Sequence, residues 1–189
     1  MKALESTSFP ELADRISARY VEEEDALLLV MLGQEYAIRH AGVYLHGQRA
    51  PEAHTRMILD YLYSSGTTFL QVPWRPMGDF SGASAGEFRK KVELPITTFA
   101  TEIIARANVL LPMVDATRAN SLIGSDIAFT VKALPKVYLQ VELSQETQDF
   151  PAESWVLFSN NAHEFLSLSN LRILAEAFKD RLLSLLRIY

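Results

Sequence analysis

The sequence predicts an α+β fold: one domain with a largely antiparallel sheet, packed helices and a long C-terminal helix. Several strand-like runs follow one another across short connections, which is typical of antiparallel pairing. Helical and strand-like segments are mixed without the regular alternation of a parallel βαβ fold. A chain of 189 residues also fits one substantial core, so residues 1–189 are assigned to a single domain.

The first third of the chain is predicted to form a helix, a hairpin with a third strand, and a second helix. Apolar residues recur every fourth position after Pro10, which is acceptable in a first helical turn. Two apolar runs on either side of Gly33-Gln34 indicate a β-hairpin, and "GVYLHG" at 42–47 adds a short strand. The segment 51–66 begins with Pro and ends at Gly, the asymmetry expected of a helix.

The middle of the chain is predicted to contain a strand, the longest loop and a helix. The strand-like run "TTFLQVPW" at 67–74 ends at its proline. The segment "RPMGDFSGASAG" at 75–86 holds three of the eight glycines and is assigned to a loop. A helix is expected to follow, from about Gly86 or Pro95 towards Asn108.

The last third is predicted to form three strands and the final helix. The runs 127–134 and 136–143 are rich in β-branched and aromatic residues, and the proline between them makes them separate strands. In the second run, Gln140 and Glu142 alternate with apolar residues, which predicts that they lie on a half-exposed face. "SWVLFS" at 154–159 is a third strand, and from Ser169 onward apolar residues follow one helical face.

A cluster of polar residues separates that third strand from the final helix. It contains Asn160, Asn161, His163 and Glu164. Asparagine tolerates left-handed backbone geometry and bonds nearby amides, and Ser167 or Ser169 is expected to cap the helix. We therefore interpret this polar cluster as a strand-to-helix corner rather than a reaction centre, with His163 as a turn residue.

Composition excludes several classes of protein. Hydrophobic residues make up 49% and charged residues 22%, which are globular values, and the formal charge of −5 argues against nucleic acid or anionic membrane as a partner. The absence of cysteine excludes disulfides, thiolate nucleophiles and Cys-containing zinc sites. The N-terminus lacks the apolar core of a signal peptide, and the most apolar stretch, 26–32, is too short to span a bilayer. We expect a cytoplasmic protein.

The chain also carries a set of landmarks in a recognisable order. They are "ILDYLYSSG", "FSGASAGEF", "GSDIAFTVKALPKVYLQVEL" and "DFPAESWVLFSNNAHEFLSLSNL". In order and spacing they resemble the uncharacterised bacterial and archaeal family of domain of unknown function 3786, found mainly in anaerobes, over about Asp25 to Leu183. The family usually has a more acidic stretch in place of "ETQDFP" and an Asp in place of Ser159. The resemblance implies no reaction; the likeness of some relatives to companions of iron–sulfur or corrinoid proteins implies an accessory role.

The segment "VPWRPMGDF" at 72–80 is the leading candidate for a binding site. Trp74 and Arg75 offer a stacking face and an anion donor on a glycine-bearing loop, the kind of element that often carries ligand sites. The competing interpretation is that Trp74 anchors the loop to the core. Asp126 and Asp149 are added as lining residues because each lies at a strand edge beside a turn, where turn capping is the alternative. Loop 73–82 is expected to form one wall of the principal pocket.

We predict a non-catalytic accessory or small-ligand-binding protein of bacterial metabolism, with no cofactor and with a small molecule or a protein as its partner. The first alternative is an enzyme that uses a carboxylate pair, Asp126 with Asp149 or Glu153, for acid–base chemistry. The second is an interaction module whose leucine-rich last helix packs on a partner, including a second copy of the chain as a homodimer.

Three histidines were weighed as metal ligands. His40, His46 and His54 are separated by five and seven residues, and a metal site would need them to converge with a carboxylate such as Asp60. That spacing matches no tight ligand pattern, so no metal site is assigned and surface or capping roles are expected.

Overall fold

A computed structural model describes residues 8–189 of the chain, and the strands in this part form two antiparallel sheets of five strands each. The predicted α+β class, the antiparallel pairing and the long C-terminal helix are confirmed. The strands divide between two sheets because the N-terminal strands pair only with one another and the later strands do the same.

The first sheet is a meander in which each strand pairs with the next one along the chain. Its strands are β1 (Arg19–Val21), β2 (Ala26–Met31), β3 (Gln34–Arg39), β4 (Gly42–Leu45) and β5 (Gln48–Arg49). The predicted hairpin joins β2 to β3 through Leu32 and Gly33, both with positive φ, as a two-residue turn with the right twist requires. In β3, Tyr36 and Ile38 are buried and alternate with exposed or half-buried residues, which is the period of a strand with one covered face.

The second sheet has the order β6-β10-β9-β8-β7. Its strands are β6 (Arg75–Pro76), β7 (Ala116–Ala119), β8 (Ile127–Leu134), β9 (Val137–Ser144) and β10 (Glu153–Phe158). The proline between the two central runs lies in the β8–β9 turn, so these runs are separate, paired strands as predicted. The prediction of a half-exposed β9 face is wrong: Gln140 and Glu142 are buried because the 120–126 loop folds over them.

Seven α-helices occur among the described residues. They are α1 (Phe9–Ile16), α2 (Glu52–Leu62), α3 (Ala85–Phe88), α4 (Leu94–Thr97), α5 (Ala100–Ala105), α6 (Ala107–Met113) and α7 (Leu168–Ile188). A π-helical turn, Arg89–Glu93, joins α3 to α4, so the helix predicted for this region is broken into short pieces. Among residues 8–189 no helix has both the length and the apolarity needed to cross a membrane.

One hydrophobic cluster includes side chains from both sheets and from the helices around them. The sheets also meet through the backbone, where the Leu32 amide donates to the Ala133 carbonyl at 3.1 Å. Helix α7 closes the core with a continuous buried face: Leu171, Leu174, Ala175, Phe178, Leu182 and Leu185. Most of the leucines that suggested a partner-binding helix are therefore used inside the molecule.

The strand predicted for 67–74 is wrong, since this segment is an irregular loop. Its backbone is held by the strand-to-helix corner rather than by a neighbouring strand. The Leu70 amide donates to the Asn161 side chain at 2.9 Å, and the Gln71 carbonyl accepts from the Asn160 amide at 3.2 Å. These bonds satisfy the backbone groups that strand pairing would otherwise use.

Candidate functional site

Strand β6 and the residues that follow it fold against the start of α7 and leave two adjoining hollows. One has a volume of about 200 Å³ and the other about 350 Å³. Leu168 lines both hollows, so we treat them together as the loop cleft. Loop 73–82 contributes Arg75, Asp79, Phe80 and Ser81 to one hollow and Met77 and Gly82 to the other.

Arg75 is the cationic group of the larger hollow. Its guanidinium carbon lies 4.3 Å from the centre of the Phe80 ring, and its Nη2 donates to the Asp79 backbone carbonyl at 2.7 Å. Among the described residues it makes no ion pair, so a positive charge is held in place over an aromatic ring. The Asp79 side chain, which is exposed, lines the same hollow and adds a hydrogen-bond acceptor.

Phe80 forms the floor beneath Arg75. It is buried, and its ring centre lies 5.9 Å from that of Phe158 in β10 and 5.8 Å from that of His163. His163 belongs to the 3₁₀ turn Ala162–Glu164 of the corner, where it is exposed and lines the hollow. The backbone of His163 is thus in a turn, as the corner interpretation predicts, while its ring faces the cleft.

The smaller hollow is more apolar and its charges are paired. Met77, Phe88 and Leu168 supply its apolar walls. Arg172 of α7 lies at the other side, with Nη1 at 3.5 Å from the Glu87 carboxylate. Hydrogen bonding to Lys91 and the charges of Lys91 and Arg172 lower the pKa of Glu87, so this hollow holds a balanced ion pair beside an apolar wall.

Of the four predicted site residues, the structure brings one into the lining of this cleft, places a second next to it along the chain and leaves two elsewhere. Arg75 lines the larger hollow; Trp74 immediately precedes it and is half-buried, but it is outside the set of described residues that line either hollow. Asp126 and Asp149 are exposed at the opposite end of the second sheet. Arg75 pairs with Phe158 at the other end of β10. The two ends of this strand are roughly 17 Å apart at about 3.4 Å per residue.

The two distant carboxylates lie next to turns. Asp126 accepts a hydrogen bond from the Gln145 amide at 2.9 Å, which is the geometry of turn capping. Asp149 lies in a tight turn closed by the Thr147 amide and the Phe150 carbonyl at 2.9 Å. Asp126 therefore caps a turn, whereas the turn that contains Asp149 is bonded through Thr147, whose Oγ1 also accepts from the Phe150 amide at 3.1 Å.

Glu142 lies near the same end of the sheet as Asp126 and Asp149, and its carboxylate is buried although the alternation pattern predicted a half-exposed face. Glu142 is fully buried and accepts from Ser121 Oγ at 2.7 Å, the Leu122 amide at 3.0 Å, Gln140 Nε2 at 3.1 Å and Ser125 Oγ. Burial alone would raise the pKa of Glu142, but these donors together outweigh burial and lower it. The network organises the 120–126 loop as a structural support.

The residues of the cleft that sequence reasoning missed come from distant parts of the chain. Arg172 and Leu168 lie at the start of α7, about ninety positions beyond the loop, and no local pattern links the two segments. His163 had a usable signal, because it follows a strand end directly before a long helix, a position where side chains often reach a cleft.

The three histidines weighed as metal ligands do not meet. His54 Nδ1 lies 2.9 Å from the Tyr36 hydroxyl, His46 Nε2 lies 3.3 Å from Gln34 Nε2, and His40 Nε2 lies 3.0 Å from Asp25. Across residues 8–189, no three His, Cys, Asp or Glu side chains gather in a group that would hold a metal ion.

The fold defines an α+β protein of two antiparallel five-stranded sheets closed by a long C-terminal helix, with a cleft between a loop and that helix. The chain belongs to the family called domain of unknown function 3786, whose family model matches residues 8–181. The resemblance drawn from the sequence landmarks is thereby confirmed. No curated protein and no solved structure matches the chain.

Proposed function

We propose that the protein is a non-catalytic, cytoplasmic small-molecule-binding protein, and that it binds a small organic acid with an apolar body in the loop cleft. The observation that carries this proposal is Arg75, a guanidinium without an ion-pair partner among the described residues, fixed over Phe80 at the wall of a hollow. A carboxylate is the natural partner of such a group, because the planar fork of arginine matches its two oxygens.

The adjoining hollow supports an apolar body in the ligand. Its walls include Met77, Phe88 and Leu168, and its charged residues, Glu87 and Arg172, are already paired. An apolar group placed there would lose no hydrogen bond and would gain contact with buried side chains. His163 offers a further polar contact at the rim of the larger hollow, and Asp79 offers an acceptor for a donor group elsewhere on the ligand.

Binding can be tested with benzoate as the probe and Trp74 as the reporter. In a Trp155→Phe variant, Trp74 is the one remaining tryptophan, and its position next to Arg75 should make its emission change saturably as benzoate is added. Arg75→Gln should weaken binding at least about tenfold, the scale of one charge-assisted hydrogen bond.

Arg118→Gln is the matched control for that experiment. Arg118 is exposed on β7, at the opposite edge of the second sheet from β6, so its replacement should leave benzoate affinity unchanged. Calorimetric binding of benzoate that is equally strong in Arg75→Gln, or binding that leaves Trp74 emission unchanged, would contradict the proposal.

A second candidate function is self-association through the end of α7. Ile188 and Tyr189 are 71% and 58% exposed, and Leu183 and Leu186 line a nearby groove of about 180 Å³. Light scattering at two protein concentrations tests this alternative, since a strict monomer at both concentrations counts against a homodimer.

A further inference from the structure

A second cavity, away from the loop cleft, lies between the first sheet and α7. It has a volume of about 210 Å³ and is lined by residues from β3, α2 and α7, among them Gln34, Tyr36, His54, Asp180 and Arg181. We call it the His54 cavity. Three elements that are far apart in sequence converge there, and each contributes a polar side chain.

Tyr36 and His54 form a fixed pair in this cavity. The Tyr36 side chain is fully buried, and its hydroxyl lies 2.9 Å from His54 Nδ1. Burial raises the pKa of Tyr36 to about 12, although the nearby Arg181 charge opposes that rise, so the phenol remains protonated at neutral pH. The hydroxyl has no other acceptor among the described residues, and a buried donor is expected to be bonded. It therefore donates to Nδ1, which leaves the ring hydrogen of neutral His54 on Nε2.

Arg181 supplies a charge that lacks a partner. Its Nε is buried and makes no hydrogen bond, and the side chain makes no ion pair within residues 8–189. A buried guanidinium nitrogen without an acceptor is costly, so this group is suited to receive an acceptor from a bound molecule. The one carboxylate in the lining is Asp180, whose side chain is 71% exposed and paired with Lys179 at 2.8 Å.

We propose that the His54 cavity is an oxyanion site, in which the Arg181 guanidinium and the His54 Nε2–H donate to a carboxylate or phosphoryl group. The donors match the chemistry of such a group: a guanidinium presents paired N–H bonds, and the imidazole adds a third in a direction set by Tyr36. Asp180 lies at the exposed rim of the cavity and pairs with Lys179, although its charge still acts on His54, where burial lowers the pKa and the smaller effect of Asp180 raises it. This site is independent of the loop cleft and of the function proposed for it.

Histidine ring NMR tests the proposal, with inorganic phosphate and acetate as separate probes at about pH 7. The His54 resonances should shift saturably with at least one probe, and the probe that binds identifies the class of oxyanion. His54 is assigned from a His54→Gln variant. Arg181→Gln should weaken binding at least about tenfold, because it removes the charged donor. Arg187→Gln, an exposed position on the same helix, is the matched control and should leave the shifts unchanged.

Failure of this proposal is distinguishable from failure of the proposed function. His163 lines the loop cleft and His54 lines the second cavity, so the same spectra report on both sites. If the His54 resonances do not move with either probe, move without saturation, or respond equally in Arg181→Gln, the oxyanion site is refuted whatever happens at His163. Benzoate that shifts His163 in an Arg75-dependent way supports the loop cleft alone.

Discussion

Asn161 holds the strand-to-helix corner through three side-chain hydrogen bonds. Its Oδ1 accepts from the Leu70 amide at 2.9 Å, and its Nδ2 donates to the Thr68 carbonyl at 2.6 Å and to Glu164 Oε2 at 3.0 Å. The side chain is buried, so water cannot easily replace these partners. The polar cluster at the corner therefore has a structural role, and Asn161 makes the hydrogen bonds that hold the corner to the preceding loop.

Replacing Asn161 with Ala should lower the free energy of unfolding by about 2–4 kcal/mol, because it removes the three hydrogen bonds of a buried side chain that hold the 67–72 loop. Asn160 is the matched control, since it is half-buried and its side chain makes no hydrogen bond to the described residues. Asn160→Ala should cost less than about 1 kcal/mol. Urea denaturation of both variants measures the difference, and equal losses would refute the assignment.

Glu142 should make stability depend on pH. Its folded pKa is lowered from the ordinary value of 4.5, so the stabilisation is fully present above that value and is lost as the pH falls through the lower folded pKa. Glu142→Gln keeps the size but directs amide hydrogens at groups that already donate. We expect it to cost about 2–4 kcal/mol near neutral pH.

The loss caused by Glu142→Gln should shrink as the pH falls below 4.5, because proton uptake by the unfolded wild-type chain then removes the stabilisation, until the native carboxylate is protonated as well. Denaturation at a series of pH values measures this convergence. Glu146→Gln, at an exposed position, is the control and should follow the wild-type curve. A loss from Glu142→Gln that stays constant down to about pH 3 would contradict the linkage argument.

Gly33 allows the β2–β3 hairpin to pack against the end of α6. It has φ of +72°, and a Cβ at this position would lie 2.5 Å from the Met113 carbonyl oxygen. Both the backbone conformation and the close approach therefore demand glycine. The same contact region joins the first sheet to the second through the Leu32 amide.

Gly33→Ala should destabilise the protein by about 2–4 kcal/mol, the sum of a left-handed backbone cost and a steric clash. Gly47→Ala separates the two effects, because Gly47 has a similar φ of +76° and open space around its Cβ position. It should cost about 1 kcal/mol. Thermal denaturation of the two variants measures the contrast; equal shifts in Tm would show that the contact with Met113 is unimportant.

The start of α7 is capped by a carboxylate from another helix. Asp60 Oδ2 accepts from the Ser167 amide at 2.8 Å, from Ser167 Oγ at 2.7 Å and from Asn170 Nδ2 at 2.7 Å. Burial opposes ionisation, but these three donors together lower the pKa of Asp60. Ser167 is the N-cap residue as expected, yet its hydroxyl makes no capping bond within the helix. The capping group of α7 is therefore supplied by a different helix, α2, and these bonds hold α2 to the helix that lines the loop cleft.

The two sheets should unfold together. One hydrophobic cluster spans them, and α7 packs across it. Neither sheet has a separate core of its own within the described residues, so exposing one would expose the other. We expect the calorimetric and van't Hoff enthalpies of unfolding to agree in differential scanning calorimetry. A calorimetric enthalpy well above the van't Hoff value, or two resolved transitions, would show independent units.

Local patterns sufficed for much of the fold. The alternation around Tyr36 and Ile38, the turn chemistry at Gly33, and the one-sided apolar face of α7 each depend on residues a few positions apart. The α+β class, the hairpin, the strands β8 to β10, the final helix and the family could therefore be predicted. The position of Arg75 at a hollow could be predicted as well, because its segment carries the glycine and aromatic residues that are typical of pocket-lining loops.

Tertiary structure decided whatever depends on distant partners. Segment 67–74 is a loop because Asn161, about ninety positions later, bonds its backbone. Glu142 is buried because a separate loop supplies donors, and Asp126 lies far from Arg75 because the register of the paired strands puts them at opposite ends of the sheet. The His54 cavity exists because β3, α2 and α7 converge. The periodicity of apolar residues is a local property of the sequence. The free energy of burying a polar group depends instead on the partners around it, and only the folded chain supplies them.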